Sequence, residues 1–230
     1  MALTGKAAVV LWTTMQDREA HDDWHSHEHL PERVGIDGFL RGRRCAALDA
    51  TLAHYFVIYE VEDLDVMTSS GYLARLNNPS DWTARTMKRV LNVNRTLCEV
   101  ATTAGAGVGS EVLTVRLSAL PGYEAALTQF LSEKLSDLGT CPGLVGAHLL
   151  KKTETVRPET KERELRQRPD DSEDWVLILE AYDATALDDL AKGKFSPAAL
   201  IGAGAAPTPL ADRYRLAHLL EDSEMKRSTR

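Results

Sequence analysis

Short runs of apolar, β-branched residues alternate with longer stretches of helical period, and the whole alternation occurs twice. In the first half, residues 7–13 form a β-rich apolar run and residues 17–30 carry a helical pattern, with Pro31 set to end it. Residues 38–47 then alternate as a strand, and residues 55–61 are β-branched and aromatic throughout. Asp63 or Asp65 is the expected N-cap of a second helical stretch, residues 80–90 read as a further helix or irregular segment, and residues 95–102 close the half as a strand. The second half repeats the order: strand 111–117, helix 123–138, strands 143–150 and 175–181, helix 184–191 and strand 214–220.

The repeat is visible residue by residue. Gly38-Phe39-Leu40 answers Gly143-Leu144-Val145, and the run from Tyr55 through Glu60 to Val61 answers that from Trp175 through Glu180 to Ala181. Two βαββαβ units predict an α+β protein, each unit an antiparallel sheet with helices on one face. The bare sheet faces must be buried, so the expected architecture is two ferredoxin-like units packed sheet to sheet as a pseudo-dimeric α/β barrel. The expected organisation is a first half over 1–103, a Gly-rich linker over 104–110, a second half over 111–220 and a frayed tail over 221–230. The glycines of the linker have no phosphate-binding helix after them, which excludes a nucleotide-binding reading. A charged insertion over 153–174 lacks apolar period; a solvated loop is the default and a lid the alternative.

Charge and composition narrow the classes. The net charge is -7, which disfavours a nucleic-acid partner. No apolar run reaches the roughly 20 residues of a membrane span. The first six residues do not read as a signal peptide, and three scattered cysteines, Cys45, Cys98 and Cys141, fit reduced thiols in a cytoplasm.

Candidate chemistry is concentrated in residues 21–44. His21, His25, His27 and His29 fall within nine residues, Glu28 and Glu32 lie among them, and Arg41, Arg43 and Arg44 follow on the predicted strand. On a regular helix His21, His25, Glu28 and His29 share one polar stripe, with Trp24, Leu30 and Val34 on the packing side and His27 beside them. Glu28 is then placed to charge His25 and raise its pKa for acid–base work near neutral pH. The competing reading is a solvent-exposed polar face. On the catalytic reading, His25→Ala removes turnover and leaves folding nearly intact. Strand alternation puts Phe39, Arg41, Arg43 and Cys45 on one face. Arg41 and Arg43 in an interior need an anionic partner, such as Glu60 or a substrate carboxylate or phenolate. Tyr59 and Trp82 are further candidate substrate contacts, or simply core.

The segment Trp24-His25-Ser26-His27-Glu28-His29-Leu30-Pro31-Glu32-Arg33, followed by Ile36-Asp37-Gly38-Phe39, resembles the EthD-type signature within the dimeric α/β-barrel superfamily. The fold resemblance covers nearly the whole chain, the motif about two dozen residues, and the second half lacks it. The resemblance implies a small-molecule enzyme of catabolism or secondary metabolism, with a range of chemistry: cyclases, isomerases, dehydratases, cofactor-free monooxygenases and haem-handling enzymes. The leading expectation is acid–base catalysis without a cofactor on a small, aromatic or polyketide-like substrate, by His25 or His29 with Glu28, and with Arg41, Arg43, Tyr59 and Trp82 binding substrate. Two alternatives stand beside it. One is a metal- or haem-dependent oxygenase, with a divalent metal on His25, Glu28 and His29. The literal H-x-x-E-H spacing of those residues is that of inverted zinc peptidases, but Pro31 and the β-rich halves argue against that fold. The other alternative is a non-catalytic ligand-binding protein. A second copy of the chain is a candidate partner, and the first half is expected to hold the principal pocket.

Overall fold

The structure is a computed structural model that describes residues 2–48, 53–154, 158–166 and 170–228. The first half runs β1 (Ala7–Met15), α1 (Arg18–Trp24), a wide turn (His25–His29), α2 (Leu30–Val34), β2 (Phe39–Ala47) and β3 (Ala53–Val61). A 3₁₀ turn (Leu64–Thr68), α3 (Ser70–Asn77), α4 (Asp81–Met87) and the long β4 (Val90–Gly105) follow. The second half runs β5 (Glu111–Leu117), α5 (Glu124–Ser136), β6 (Leu144–Lys152), α6 (Lys161–Arg166) and β7 (Trp175–Ala181). It ends with α7 (Ala184–Lys192), α8 (Pro197–Gly202), β8 (Leu210–Glu221) and α9 (Asp222–Ser228).

β1 pairs antiparallel with β3 and β4, and β3 with β2. β5 pairs in the same way with β7 and β8, and β7 with β6. Each half therefore has the ferredoxin-like order, fourth strand, first, third, second. The hydrogen-bonded order β1-β3-β2-β8-β5-β7-β6-β4 closes into an eight-stranded antiparallel barrel. Two compact units can be distinguished. One holds Thr4–Glu99, Thr153–Ser172 and Ala217–Arg230; the other holds Met1–Leu3, Val100–Lys152 and Glu173–Leu216. The charged insertion thus groups with the first-half unit, although it follows β6 in sequence. Residues 222–228, expected as a frayed tail, form α9, which packs on α2 and β2. Residues 229–230 lie outside the described residues.

The duplication extends to backbone detail. Gly38 and Gly143 both have positive φ, 90° and 88°, where a side chain would be strained and would meet Val66 or Ala186. Glu60 and Glu180 are both buried, and each accepts a backbone N–H from the segment before its unit's first strand: Thr4 at 2.8 Å and Gly109 at 3.0 Å. The halves diverge in what faces that carboxylate. Glu60 takes Arg41 in a two-pronged contact at 2.8 and 2.9 Å, and Arg43 at 3.2 Å. Glu180 has His148 at 3.4 Å.

A bulge between Phe39 and Arg41 decides which face of β2 does what. It inserts one residue, so Phe39 and Gly42 lie on the helix-covered face with Tyr59, while Arg41 and Arg43 turn to the other face with Glu60. Simple alternation, which put Phe39 with the two arginines, fails at this point because a bulge resets the period. Gly42 is where α2 is seated on the sheet. A Cβ there would come within 2.5 Å of Leu30 Cδ1 and 3.0 Å of Val34 Cγ2. Gly42→Val is expected to cost about 1–3 kcal/mol by overpacking, read as a lower Tm; an unchanged Tm would show that the helix is not held against this strand.

Candidate functional site

Asp17 caps α1 by accepting the Ala20 N–H at 3.1 Å. The helix does not stop near Pro31, as expected, but continues through it. Over His25–His29 the turn widens to π geometry, with the Leu30 N–H reaching the His25 carbonyl, and Pro31 enters the first turn of α2. Proline lacks the N–H that a regular turn would use, and the widened turn accommodates it. The extra residue also rotates the side chains that follow, so the regular helical wheel does not hold. His21, Trp24 and His25 are all buried, while His27 turns to solvent and pairs with Asp23 at 2.9 Å. The histidine stripe therefore faces inward, against the competing reading of a solvent-exposed face, and His27, expected beside the packing side, faces out.

The helices, the helix-covered face of the first-half sheet and the insertion enclose a cavity of about 130 Å³. His21, His25, His29, Trp24 and Arg33 line it from the helix. Val9, Leu11, Phe39, Val57, Tyr59 and Leu97 are among the strand residues that line it, and Thr160, Glu162, Arg166 and Asp170 come from the insertion. Every lining residue lies in the first-half unit. The equivalent helix of the other unit, α5, places Leu127, Leu131 and Leu135 against its sheet and fills the space.

Within the cavity the three histidines form a ladder, with ring centroids 5.4 Å apart from His21 to His25 and 5.6 Å from His25 to His29. His29 stacks on the Trp24 indole at 4.4 Å. The Tyr59 hydroxyl lies 3.3 Å from Nε2 of His25. The Nδ1 atoms of His25 and His29 are buried and have no hydrogen-bond partner. Burial, together with the repulsion a charged His25 would meet from Arg44 and from protonation of His29 or His21, holds His25 well below the ordinary value of 6.5. His29 is also held well below it, by burial and by Arg33. The direction is opposite to the one expected from a Glu28 partner.

Glu28 is engaged elsewhere. Its Oε1 accepts from Ser80 Oγ at 2.6 Å, Thr83 Oγ1 at 2.8 Å and Trp24 Nε1 at 3.2 Å. Ser80 is the N-cap of α4, so Glu28 ties α4 to the Trp24 indole and does not charge a histidine. Arg41 and Arg43 are held by Glu60 on the other sheet face and do not line the cavity. Trp82 is half-buried on α4 and is also outside the lining. Of the residues singled out in the sequence, the structure brings together His25, His29 and Tyr59 and separates them from Arg41, Arg43 and Trp82.

The metal set of His25, Glu28 and His29 is not assembled. Glu28 is committed to three donors, and among the described residues no three His, Cys, Asp or Glu side chains converge. Nor is an axial haem ligand singled out, since Nε2 of His25 is met by Tyr59 and His29 lies flat against Trp24.

Arg33 was not anticipated. It is buried, lines the cavity and pairs with buried Glu162 of the insertion. Its signal was present, because His21, His25, His29 and Arg33 continue one four-residue spacing. Glu162 had no such signal in a charged, aperiodic stretch. The insertion is a folded cover over the cavity in its described residues, with α6 packed on α3 and α4, and not only a solvated loop.

No protein-family model matches the chain, and no curated relative matches its sequence. Solved structures match along its length. The fold is that of the ferredoxin-like dimeric α/β barrels. An anthrone oxidase-like protein matches with a TM-score of 0.65 at 13% identity, covering 98% of this chain and 97% of its own. A putative monooxygenase from Fusobacterium nucleatum matches at 0.63 with 8% identity, covering 95% and 96%. Another from Lactobacillus acidophilus matches at 0.62 with 10% identity, covering 94% and 97%. Such identities show the shared fold. Among the described residues no helix is long and apolar enough to cross a membrane.

Proposed function

We propose that the chain is a small-molecule enzyme in which His25, buried and neutral, removes a proton from a flat phenolic or enolisable substrate. The observation that carries this reading is the unpartnered, buried Nδ1 of a neutral histidine in the wall of an apolar cavity. Native structures rarely leave a buried polar atom without a partner, and such atoms cluster at functional sites. In the tautomer whose Nε2–H donates to the Tyr59 oxygen, Nδ1 carries the lone pair. It takes the substrate proton, and the electrons of the broken bond pass to the substrate oxygen as an enolate or phenolate. Neutrality is what qualifies the histidine as a base, because an imidazolium has no lone pair to offer. Trp24 and Phe39 supply flat walls, and Glu28 acts as a positioning residue that holds Trp24. The segment that resembles the EthD-type signature is the same stretch of chain that forms this helical wall.

The oxygenase version of this chemistry is the one we favour, since fold neighbours are described as an anthrone oxidase-like protein and as putative monooxygenases. In that version the substrate anion passes electrons to dioxygen. A ring methylene becomes a carbonyl, and one water leaves. The first compound to assay is an anthrone, with two readouts: deuterium exchange at the methylene without oxygen, and oxygen uptake in air. Exchange without uptake would keep the base and remove the oxygenase. Neither above the background rate would overturn the reading.

A further inference from the structure

We propose that Arg33 is the site's oxyanion donor, held in place by Glu162 of the insertion, and that the cavity therefore selects compounds that ionise to a phenolate or enolate. The guanidinium is buried and lines the cavity. Its Nη2 is taken by Glu162, and its plane lies over the Tyr72 ring at 5.9 Å. Its Nη1 is buried without a hydrogen-bond partner; the nearest carboxylate beyond Glu162 is Glu32, 4.0 Å away. A buried N–H of a permanent cation left unpaired is costly unless a ligand meets it, and a charged donor prefers an anionic oxygen.

The charge around the cavity agrees. Four arginines line it, against the carboxylates of Glu162 and Asp170. Arg163 is answered at the surface by Glu159, and Arg166 by Asp170 at 3.1 Å. Arg95 donates from Nη2 to the Tyr72 hydroxyl at 3.1 Å. The histidines add no negative charge, and both lining carboxylates are already engaged by arginines. A donor placed before the reaction, in a site shielded from water, favours the ionised substrate without reorganising. The insertion thereby becomes part of the site: it supplies the carboxylate that keeps one edge of Arg33 occupied and the other edge directed elsewhere.

The inference rests on the proton-abstraction reading only for where the proton goes; the oxyanion site can be tested without turnover. The probe is 4-nitrophenol, whose anion absorbs apart from the neutral form. Bound to the wild-type protein, its ionisation midpoint should fall by about one pH unit, a tenfold preference for the anion. Arg33→Gln should abolish the fall, and Arg33→Lys should keep part of it. Glu162→Gln should deepen it, because the cation loses its compensating charge. Opposite signs at two partners of one ion pair distinguish an oxyanion site from a merely structural bridge, and Glu162→Gln decides the matter if Arg33→Gln does not fold. No binding of the probe, an unshifted midpoint in the wild type, or the same change in both variants would overturn the assignment. A shift that persists while His25→Gln keeps full turnover would remove the base and leave the oxyanion site standing.

Discussion

His25→Gln is expected to lower turnover about 10²–10⁴-fold, the usual contribution of a positioned acid–base group, with substrate affinity changed far less. The glutamine is chosen because His25 is buried beneath the helix, with only 3% of its surface exposed. Truncation to alanine would open a cavity beside Tyr59 and cost several kcal/mol, by analogy with about 3–5 kcal/mol for a buried ring. The expectation that His25→Ala leaves folding nearly intact belonged to a surface-facing residue, and the structure removes it. Glutamine retains an amide to meet the Tyr59 hydroxyl but offers no basic nitrogen. In the wild type, the acid limb of kcat/KM should lie below 6.5, since burial and charge repulsion keep His25 neutral past that point. Thermal unfolding of the same variant is the control. Wild-type turnover in a folded His25→Gln protein would take His25 out of the mechanism and leave His29 as the candidate.

Acid should destabilise this protein at an unusually high pH. His21, His25 and His29 all have folded-state pKa values below 6.5, with burial the largest cause in each. The unfolded chain regains the ordinary value. Below about pH 6.5 it therefore binds protons that the folded chain refuses, and stability falls as pH falls, until each folded pKa is crossed. Each group contributes up to about 1.4 kcal/mol per pH unit in that window, or about 4 kcal/mol per unit for three. Between about pH 6.5 and pH 5 the loss reaches at most about 6 kcal/mol, a large share of a typical total of about 5–15 kcal/mol. Glu32 works in the opposite direction, since burial raises its folded pKa above 4.5, and it offsets part of the loss between that raised value and about pH 4.5. Asp22, whose pKa is lowered, adds a further loss only as pH falls through its ordinary 3.8 and below. The measurement is Tm and unfolding free energy across about pH 5–7. His29→Phe, which keeps a ring on Trp24, should reduce the slope by one proton. A flat profile between about pH 5 and 6.5 would show that these rings are not held neutral.

The contrast between β2 and α1 shows where the sequence was sufficient. Element order, the two ferredoxin-like halves and the paired Gly38/Gly143 and Glu60/Glu180 positions were legible because each depends on local period or on a repeated local pattern. The first half was also singled out correctly as the one with the cavity, since leucines occupy α5 where histidines occupy the α1–α2 stretch. The inward turn of the histidines was not legible. For His29 it depends on a π turn at His25–His29, one residue longer than the regular spacing, that accommodates Pro31; His21 and His25 precede the extra residue and are turned inward by the packing of α1 itself.

The same limit separates the other residues. Glu28 is three positions from His25 and one from His29, yet its carboxylate goes to Ser80 and Thr83, more than 50 residues away, because the capped start of α4 offers better donors. Arg41 and Arg43 were correctly expected to need an anion, but a one-residue bulge decided that they meet Glu60 on the far face of the sheet. Arg33 and Glu162 are 129 positions apart. The sequence by itself determined which side chains repeat with the period of a strand or a helix, because those periods are set by the backbone within a few residues. Only the tertiary structure decided which charges face a cavity and which face one another, because that follows from register shifts and long-range contacts that local pattern does not encode.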